Sequence, residues 1–443
     1  MYIIGRGKLI TLSGSTPLLE NGAVAVDGGT IVNVGKTERM LETYPSAEFI
    51  DVDGAVIAPG FIDMHAHSRN VVFGSAAIPR FRPEERFSML RNCLWQLESR
   101  VDHSIASALA YAFAIRAIKN GITTVFEQHS VPDHPSGSLY SIASVFRECG
   151  LRACIGYDVS ERFGSRRASA SIRENAEFIE FCASLNIETV KPAFGMNSPL
   201  ELGNSMLAAC IGASSSKARI HIHIGETPEE NLIALRRFGC SPIQKLFQAS
   251  AISAGSLFLC GPFTDKADLE LIVANDCAAV ISPSMASLLS CAYSSEFEKM
   301  ALERKLCLGT DSLCAGMLEA ARNAVFQFGI SGMESSSILL PAVNMLFYAN
   351  PDAASRVFGR RLGVIEPGAA ADIIALRPCI QQQFETEAEL LGSLIWSGAA
   401  CELTMVNGRI LMRGGKLSEL DEKRIANDYS AAASKLLSGM LHE

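Results

Sequence analysis

Short apolar runs recur through the middle of the chain, each ending in a polar tip and followed by an amphipathic stretch. They cover residues 56–64, 123–127, 152–158, 189–194, 219–224, 256–259, 278–282 and 306–310, with stretches such as 104–120 and 138–149 between them. Runs this short and this continuously apolar are strands buried on both faces, and their alternation with helical periodicity predicts a parallel sheet. Eight such units close a (β/α)8 TIM barrel.

The two ends have another texture. Residues 9–12, 23–26, 31–34 and 55–58 alternate apolar and polar positions around turns such as Asp27-Gly28-Gly29. The same pattern returns at 372–376, 403–406 and 409–412, with Asn407-Gly408 as a hairpin turn. Period-two alternation punctuated by Gly and Asp is the hairpin signature. The chain is therefore expected to form a β-sandwich from residues 1–58 and 364–443, around a barrel of residues 59–363.

Composition sharpens this picture. With 443 residues, 48% of them hydrophobic and 19% charged, the chain has apolar material for a large core. A net charge of -8 provides no basic footprint for nucleic acid or an anionic membrane, so a small-molecule partner is expected. No apolar run reaches the roughly 18 residues of a membrane helix, and the first residues lack the pattern of a secretory leader. The 13 cysteines are scattered, odd in number and without a C-x-x-C pair, which fits reduced, buried thiols and a cytoplasmic protein.

Candidate chemistry sits at the strand tips. His65 and His67 are separated by one residue at the end of the first barrel run, so both imidazoles project to one side and can reach one cation. Two loop histidines on the surface are the ordinary alternative; with only eight histidines in the chain, the ligand reading is preferred. His221 and His223 repeat the spacing at the fifth tip, just before Glu226 and Thr227. Barrel tips converge on the C-terminal rim. His223 is read as a third ligand, and His221 as a ligand or a packed neighbour. Asp311 follows the eighth run, where a carboxylate binds metal and accepts a proton or simply caps the next helix.

These motifs together resemble the amidohydrolase superfamily. Residues 59–67 (PGFIDMHAH), 223–227 (HIGET), 309–312 (GTDS) and 362–368 (LGVIEPG) with Ala371-Asp372 stand in that family's order over nearly the whole chain. The likeness is greatest to the aminohydrolase/chlorohydrolase branch, and residues 127–132 (EQHSVP), 137–139 and 150–153 narrow it toward the SsnA-type aminohydrolases. The resemblance implies one divalent metal, Zn2+ or alternatively Fe2+, held by His65, His67, His223 and Asp311. It further implies that Asp311 takes a proton from the attacking water, that Glu226 carries it to a leaving nitrogen, and that the enzyme is a homodimer acting on a small, heterocyclic substrate.

The sequence also departs from that family. At the sixth tip, 257–263 (LFLCGPF), Cys260 is read as standing where the family has an imidazole that polarises the substrate. A thiol is a weaker donor and a poorer proton carrier. Asn197 replaces a second histidine after the fourth run, and 283–286 (PSMA) lacks the usual polar pair. With these losses, a metal-binding homologue of impaired or altered catalysis is the alternative to a working deaminase. His129, at the second tip, is a candidate substrate contact or a structural hydrogen-bonding group. Lys191 raises a further possibility, a carboxylated lysine bridging two metals, against the plainer reading of an ion-paired lysine. Trp95 and Phe87 are expected to pack in the core or a lid, His103 and His134 to be solvated, and His442 to lie in the tail.

Overall fold

Gly60 divides the first apolar run in two. In the computed structural model, which describes residues 1–14, 18–75, 93–185, 187–214, 218–331, 337–379, 384 and 386–438, residues before and after this glycine serve different sheets. A Cβ on Gly60 would lie 2.2 Å from the Thr123 side chain, so only glycine passes this junction. Phe87 and His442 lie outside the described residues.

On the amino-terminal side of that junction, β1 (Tyr2–Ile10), β2 (Leu18–Asp27), β3 (Thr30–Lys36), β4 (Glu48–Asp51) and β5 (Val56–Pro59) belong to a sheet of both chain ends. On the other side, β6 (Phe61–Ala66), β7 (Ile122–His129), β8 (Arg152–Tyr157), β9 (Val190–Met196), β10 (Arg219–Ile224), β11 (Leu257–Cys260), β12 (Ala278–Ile281) and β13 (Leu306–Leu308) form an eight-stranded sheet in chain order. All its registered pairs are parallel. Helices follow most strands, as a parallel sheet with right-handed crossovers requires. The eight expected runs thus became the eight barrel strands, with the first shortened at its start.

The carboxyl-terminal strands β14 (Ile373–Pro378), β15 (Ala399–Val406), β16 (Arg409–Arg413) and β17 (Lys416–Leu417) complete the first sheet, β14 pairing antiparallel with β5. The ends therefore meet in one mixed, nine-stranded sheet. The sheet branches at β1, which pairs with β4 through residues 2–5 and with β5 through Lys8 and Leu9. One apolar core, including Ile4, Val24, Ile31, Ile57, Ile373 and Met405, spans both ends.

Alternation sorts the barrel side chains. Ile62, Met64, Phe126, Cys154, Ala193, Leu257, Leu259 and Val280 fill the interior. Val125, Tyr157, Ile222, Ile224, Phe258 and Cys260 belong instead to the larger core under the helices. The seam between β6 and β13 is closed by side chains. Asn350 donates to the carbonyls of Ile62 and Leu308, both at 2.8 Å, and accepts from the Leu308 amide. Asp63 accepts from the amide and hydroxyl of Thr310, and the Asp311 amide donates to the His65 carbonyl at 2.9 Å.

Candidate active site

The histidines predicted at two tips meet at the barrel's C-terminal rim. One ligand nitrogen from each of His65, His67 and His223 fits within 4.8 Å of the others. The Nε2 atoms of His67 and His223 approach to 3.2 Å, with their rings parallel to 2°. His65 stands edge-on to both, and its own buried Nε2 has no partner among the described residues. Asp311 Oδ1 completes the cluster, 4.0 Å from His65 Nε2 and 3.9 Å from His67 Nε2.

The far nitrogens are held. His67 Nδ1 lies 2.7 Å from the Gln128 carbonyl and His223 Nδ1 lies 3.2 Å from that of Asn197. A carbonyl only accepts, so each Nδ1 carries the proton and each Nε2 offers a lone pair. His65 Nδ1 pairs at 2.8 Å with His221 Nε2. His221 is thus placed as the neighbour that orients His65, outside the trio. Burial, strengthened by neighbouring positive groups, pushes the pKa values of His65 and His67 well down, and that of His223 down to about 3. Neutral imidazoles with aligned lone pairs, one of them orphaned, fit a divalent cation.

The loop conformations aim the carboxylates. Asp311 has φ 54° and Ser312 φ 58°, a pair of left-handed residues without the freedom of glycine. Asn70 holds Asp311 through its backbone oxygen and its Oδ1. A Cβ on Gly309 would come within 2.7 Å of the His65 Cβ, so glycine is what lets the eighth tip reach the first. Burial raises the Asp311 pKa to about 7. Glu226 is raised well above the ordinary carboxylate range by burial and then by Glu230 and Asp311. Glu230 accepts from the amides of Gly225, Glu226 and Thr227, fixing the turn that carries Glu226.

A cavity of about 50 Å³ opens on this cluster, lined by His67, His223, Glu226, Asp311, Asn197 and Met285, and also by Arg69, Glu98, Arg162, Glu201 and Trp95. A second space of about 490 Å³ shares Trp95, Glu201 and Glu226 with it. Asn197 lines this cavity and donates to Asp158 at 3.0 Å. Trp95, expected as packing, lies under the Arg162 guanidinium at 5.0 Å.

Two expected substrate contacts are corrected. Cys260 pairs in register with Ile224, and Leu259 with His223. In a parallel ladder paired residues share a face, so Cys260 points to the helix layer, where its thiol donates to the Phe258 carbonyl. Leu259, one residue earlier, faces the interior. His129 likewise pairs with Tyr157, whose ring it meets edge-on at 6.1 Å in the outer core, while Gln128 faces inward to the Met196 and His221 carbonyls. Neither Cys260 nor His129 lines the cavity. Lys191 is at the other end of its strand from the rim, five residues before Met196, or about 16 Å away along an extended chain. It is too far from the rim to bridge metals there. His103 is half-buried and sits 2.6 Å from the carbonyl of exposed His134.

A parallel barrel with a histidine–aspartate rim defines a metal-dependent hydrolase class. Residues 56–411 match the Amidohydrolase family, and the chain belongs to it. It is 25% identical over 94% of its length to a 5'-deoxyadenosine deaminase of Methanothermobacter thermautotrophicus, covering 95% of that protein. It is 24% identical to a 5-methylthioadenosine/S-adenosylhomocysteine deaminase of Pelotomaculum thermopropionicum, covering 98% of each. Among solved structures, a zinc-bound adenosine deaminase from Xanthomonas campestris superposes with TM-score 0.83 at 18% identity, covering 99% of this chain and 98% of that one. The zinc complex of atrazine chlorohydrolase from Arthrobacter aurescens gives 0.80 at 19%, with 98% and 100% covered. The protein is a hydrolase acting on carbon–nitrogen bonds other than peptide bonds.

Proposed function

We propose that this chain is a zinc-dependent aminohydrolase that releases ammonia from a small, amidine-bearing heterocyclic substrate. The observation that carries the reading is the orphaned, buried Nε2 of His65 beside two imidazoles whose lone pairs share its target. His65, His67, His223 and Asp311 would hold the cation. When bound, a divalent cation acts as a Lewis acid and brings the pKa of water to about 7. Asp311 would take the proton that water gives up as its oxygen bonds to the substrate carbon. Glu226 delivers a proton to the leaving nitrogen, and the C–N bond breaks. Asn197 orients the substrate through its amide. The deaminase names of the relatives support this chemistry, and their zinc-bound structural neighbours support the choice of metal over Fe2+.

The protein is proposed to be cytoplasmic, in keeping with 13 cysteines of which none forms a disulfide, and to act as a homodimer. No helix among the described residues is long and apolar enough to cross a membrane. The test is ammonia release by zinc-loaded protein over a panel of aminopurines, aminopyrimidines and aminotriazines. At least one substrate is expected to turn over, with loss in Glu226→Gln that spares bound zinc. Silence across the panel from fully zinc-loaded protein favours the alternative, a metal-binding homologue with altered catalysis, which the leucine at the sixth tip supports.

A further inference from the structure

The cavity beside the histidines is also lined by two guanidinium groups that the reaction outlined above does not use. Arg162 is 7% exposed at its side chain and Arg69 is 12% exposed. Burying a cation is costly unless its donors are met. Arg162 donates to Glu98 at 2.9 Å and makes a long contact to Glu201 at 3.4 Å, and its buried Nε has no partner among the described residues. Arg69 donates to the Gln128 carbonyl at 3.2 Å, while the nearest oxygens of Glu98 and Asp158 stand 3.9 and 3.8 Å away, beyond hydrogen-bond reach.

The neighbouring acids are already supplied by neutral donors. Ser130 donates to Glu98 at 2.6 Å, Ser160 to Glu201 at 2.7 Å, and Asn197 to Asp158 at 3.0 Å. The N–H groups left over are the Arg162 Nε, which no described residue meets, and those of Arg69 beyond its one hydrogen bond to the Gln128 carbonyl. The Trp95 ring lies 5.0 Å from the Arg162 Cζ, and with the Nη atoms turned to Glu98 and Glu201 the open donor of Arg162 is its Nε. Arg69 and Arg162 line the same small cavity as His67, His223, Glu226 and Asp311.

We propose that Arg69 and Arg162 form an anion subsite in this pocket and that the substrate bears a carboxylate there, its reacting carbon facing the histidine–aspartate cluster. A planar carboxylate matches the edge of a guanidinium in two parallel bonds. The proposal rests on the aminohydrolase reading for where the substrate sits. Its test is separate, because it reads binding and needs no turnover.

Orotate and uracil differ by one ring carboxylate and serve as the probes, titrated calorimetrically into the full-length, zinc-loaded protein. Orotate is expected to bind about 10- to 100-fold more tightly than uracil, the range of hydrogen bonds to a charged group. Arg69→Gln and Arg162→Gln should erase that preference, and Arg69→Lys should keep part of it. Should Arg162→Gln fail to fold, for want of its links to Glu98 and Glu201, Arg69→Gln decides alone. A purely structural role for the arginines lowers stability but leaves the orotate-to-uracil ratio unchanged. That result, or orotate binding no more tightly than uracil, overturns the subsite. Preference for orotate in a protein that releases ammonia from nothing overturns the aminohydrolase reading and keeps the subsite.

Discussion

At the scale of single residues, the site depends on which nitrogen of each imidazole is free. His65 differs from its partners in relying on another imidazole, His221, to hold its Nδ1. His221→Phe keeps the bulk of the ring and removes that acceptor. Zinc affinity is then expected to fall about 10- to 100-fold, the usual effect of losing an outer partner, with the circular dichroism spectrum unchanged. Competition against a chromophoric chelator measures this, and unchanged affinity would show that His221 merely fills space. The sixth tip supplies a second comparison. Cys260→His forces an imidazole into the helix-packed core and should cost about 1–3 kcal/mol without altering zinc binding. Leu259→His presents the ring to the interior instead, and is the variant expected to change turnover. Equal melting temperatures for wild type and Cys260→His would refute the assigned orientation. These two positions also show where the sequence stopped being legible. The spacing of His65 and His67 is informative because alternate residues share a face whatever the register. The faces of Cys260 and His129 depend on register, and a slip of one residue exchanges Leu259 for Cys260 and Gln128 for His129. Arg69, Glu98, Arg162 and Glu201 come from strand-end loops and short helices without periodicity, so no spacing announced them.

At the scale of elements, the eight strands were readable because buried parallel strands form short unbroken apolar runs. The seam was not readable, because most of its bonds come from side chains far apart in sequence. Asn350, fully buried, satisfies two carbonyls and one amide at once. Asn350→Leu leaves those three backbone groups without partners, at about 1–3 kcal/mol for each group not reached by water. The expected result is a drop of several kcal/mol in urea-unfolding free energy, with the metal site disturbed as well, since the Asp311 amide and the His65 carbonyl bridge the same seam. A loss under about 1 kcal/mol would mean that water or a neighbour replaces the amide, and that the seam is not held as described. The junction at Gly60 is a similar case. Pro59-Gly60 was visible in the sequence, but its role in parting two sheets appears only when Thr123 is seen to occupy the place of a side chain.

At the scale of the whole molecule, the two sheets are tied by a buried pair. Arg152 of β8 donates through Nε and Nη2 to the carboxylate of Asp372, which also accepts from the Asn407 amide. On the outside, Phe326 and Trp396 meet edge to face in solvent, with Ile330 one turn along the same helix and likewise exposed. An apolar patch of this kind supports self-association. Sedimentation at micromolar concentration should show a dimer, and Phe326→Asp should shift it toward monomer if the patch is the interface. A persistent monomer in the wild type would remove the homodimer proposal.

The molecule's response to acid is a sum of opposing buried groups, and one of them can be read by itself. Burial, with help from Arg69, lowers His129 from its ordinary 6.5 to about 3, so the folded protein keeps this ring neutral while the unfolded chain protonates it. The stability it contributes is complete above pH 6.5 and is lost as pH falls from there toward about 3. Asp63 and Asp158, raised mainly by burial to about 6 and about 7, act in the opposite sense, favouring the folded state as pH falls through the same window. The wild-type curve therefore mixes both signs. The difference between His129→Phe and wild type does not, because His129 is held apart from the cavity against Tyr157. That difference in urea-unfolding free energy should be constant above pH 7 and should swing in favour of the variant steadily below pH 6.5. A difference that stays level down to pH 5, measured in metal-free protein so that zinc and protons do not compete for the other histidines, would show that His129 is protonated as readily in the folded chain as in the unfolded one.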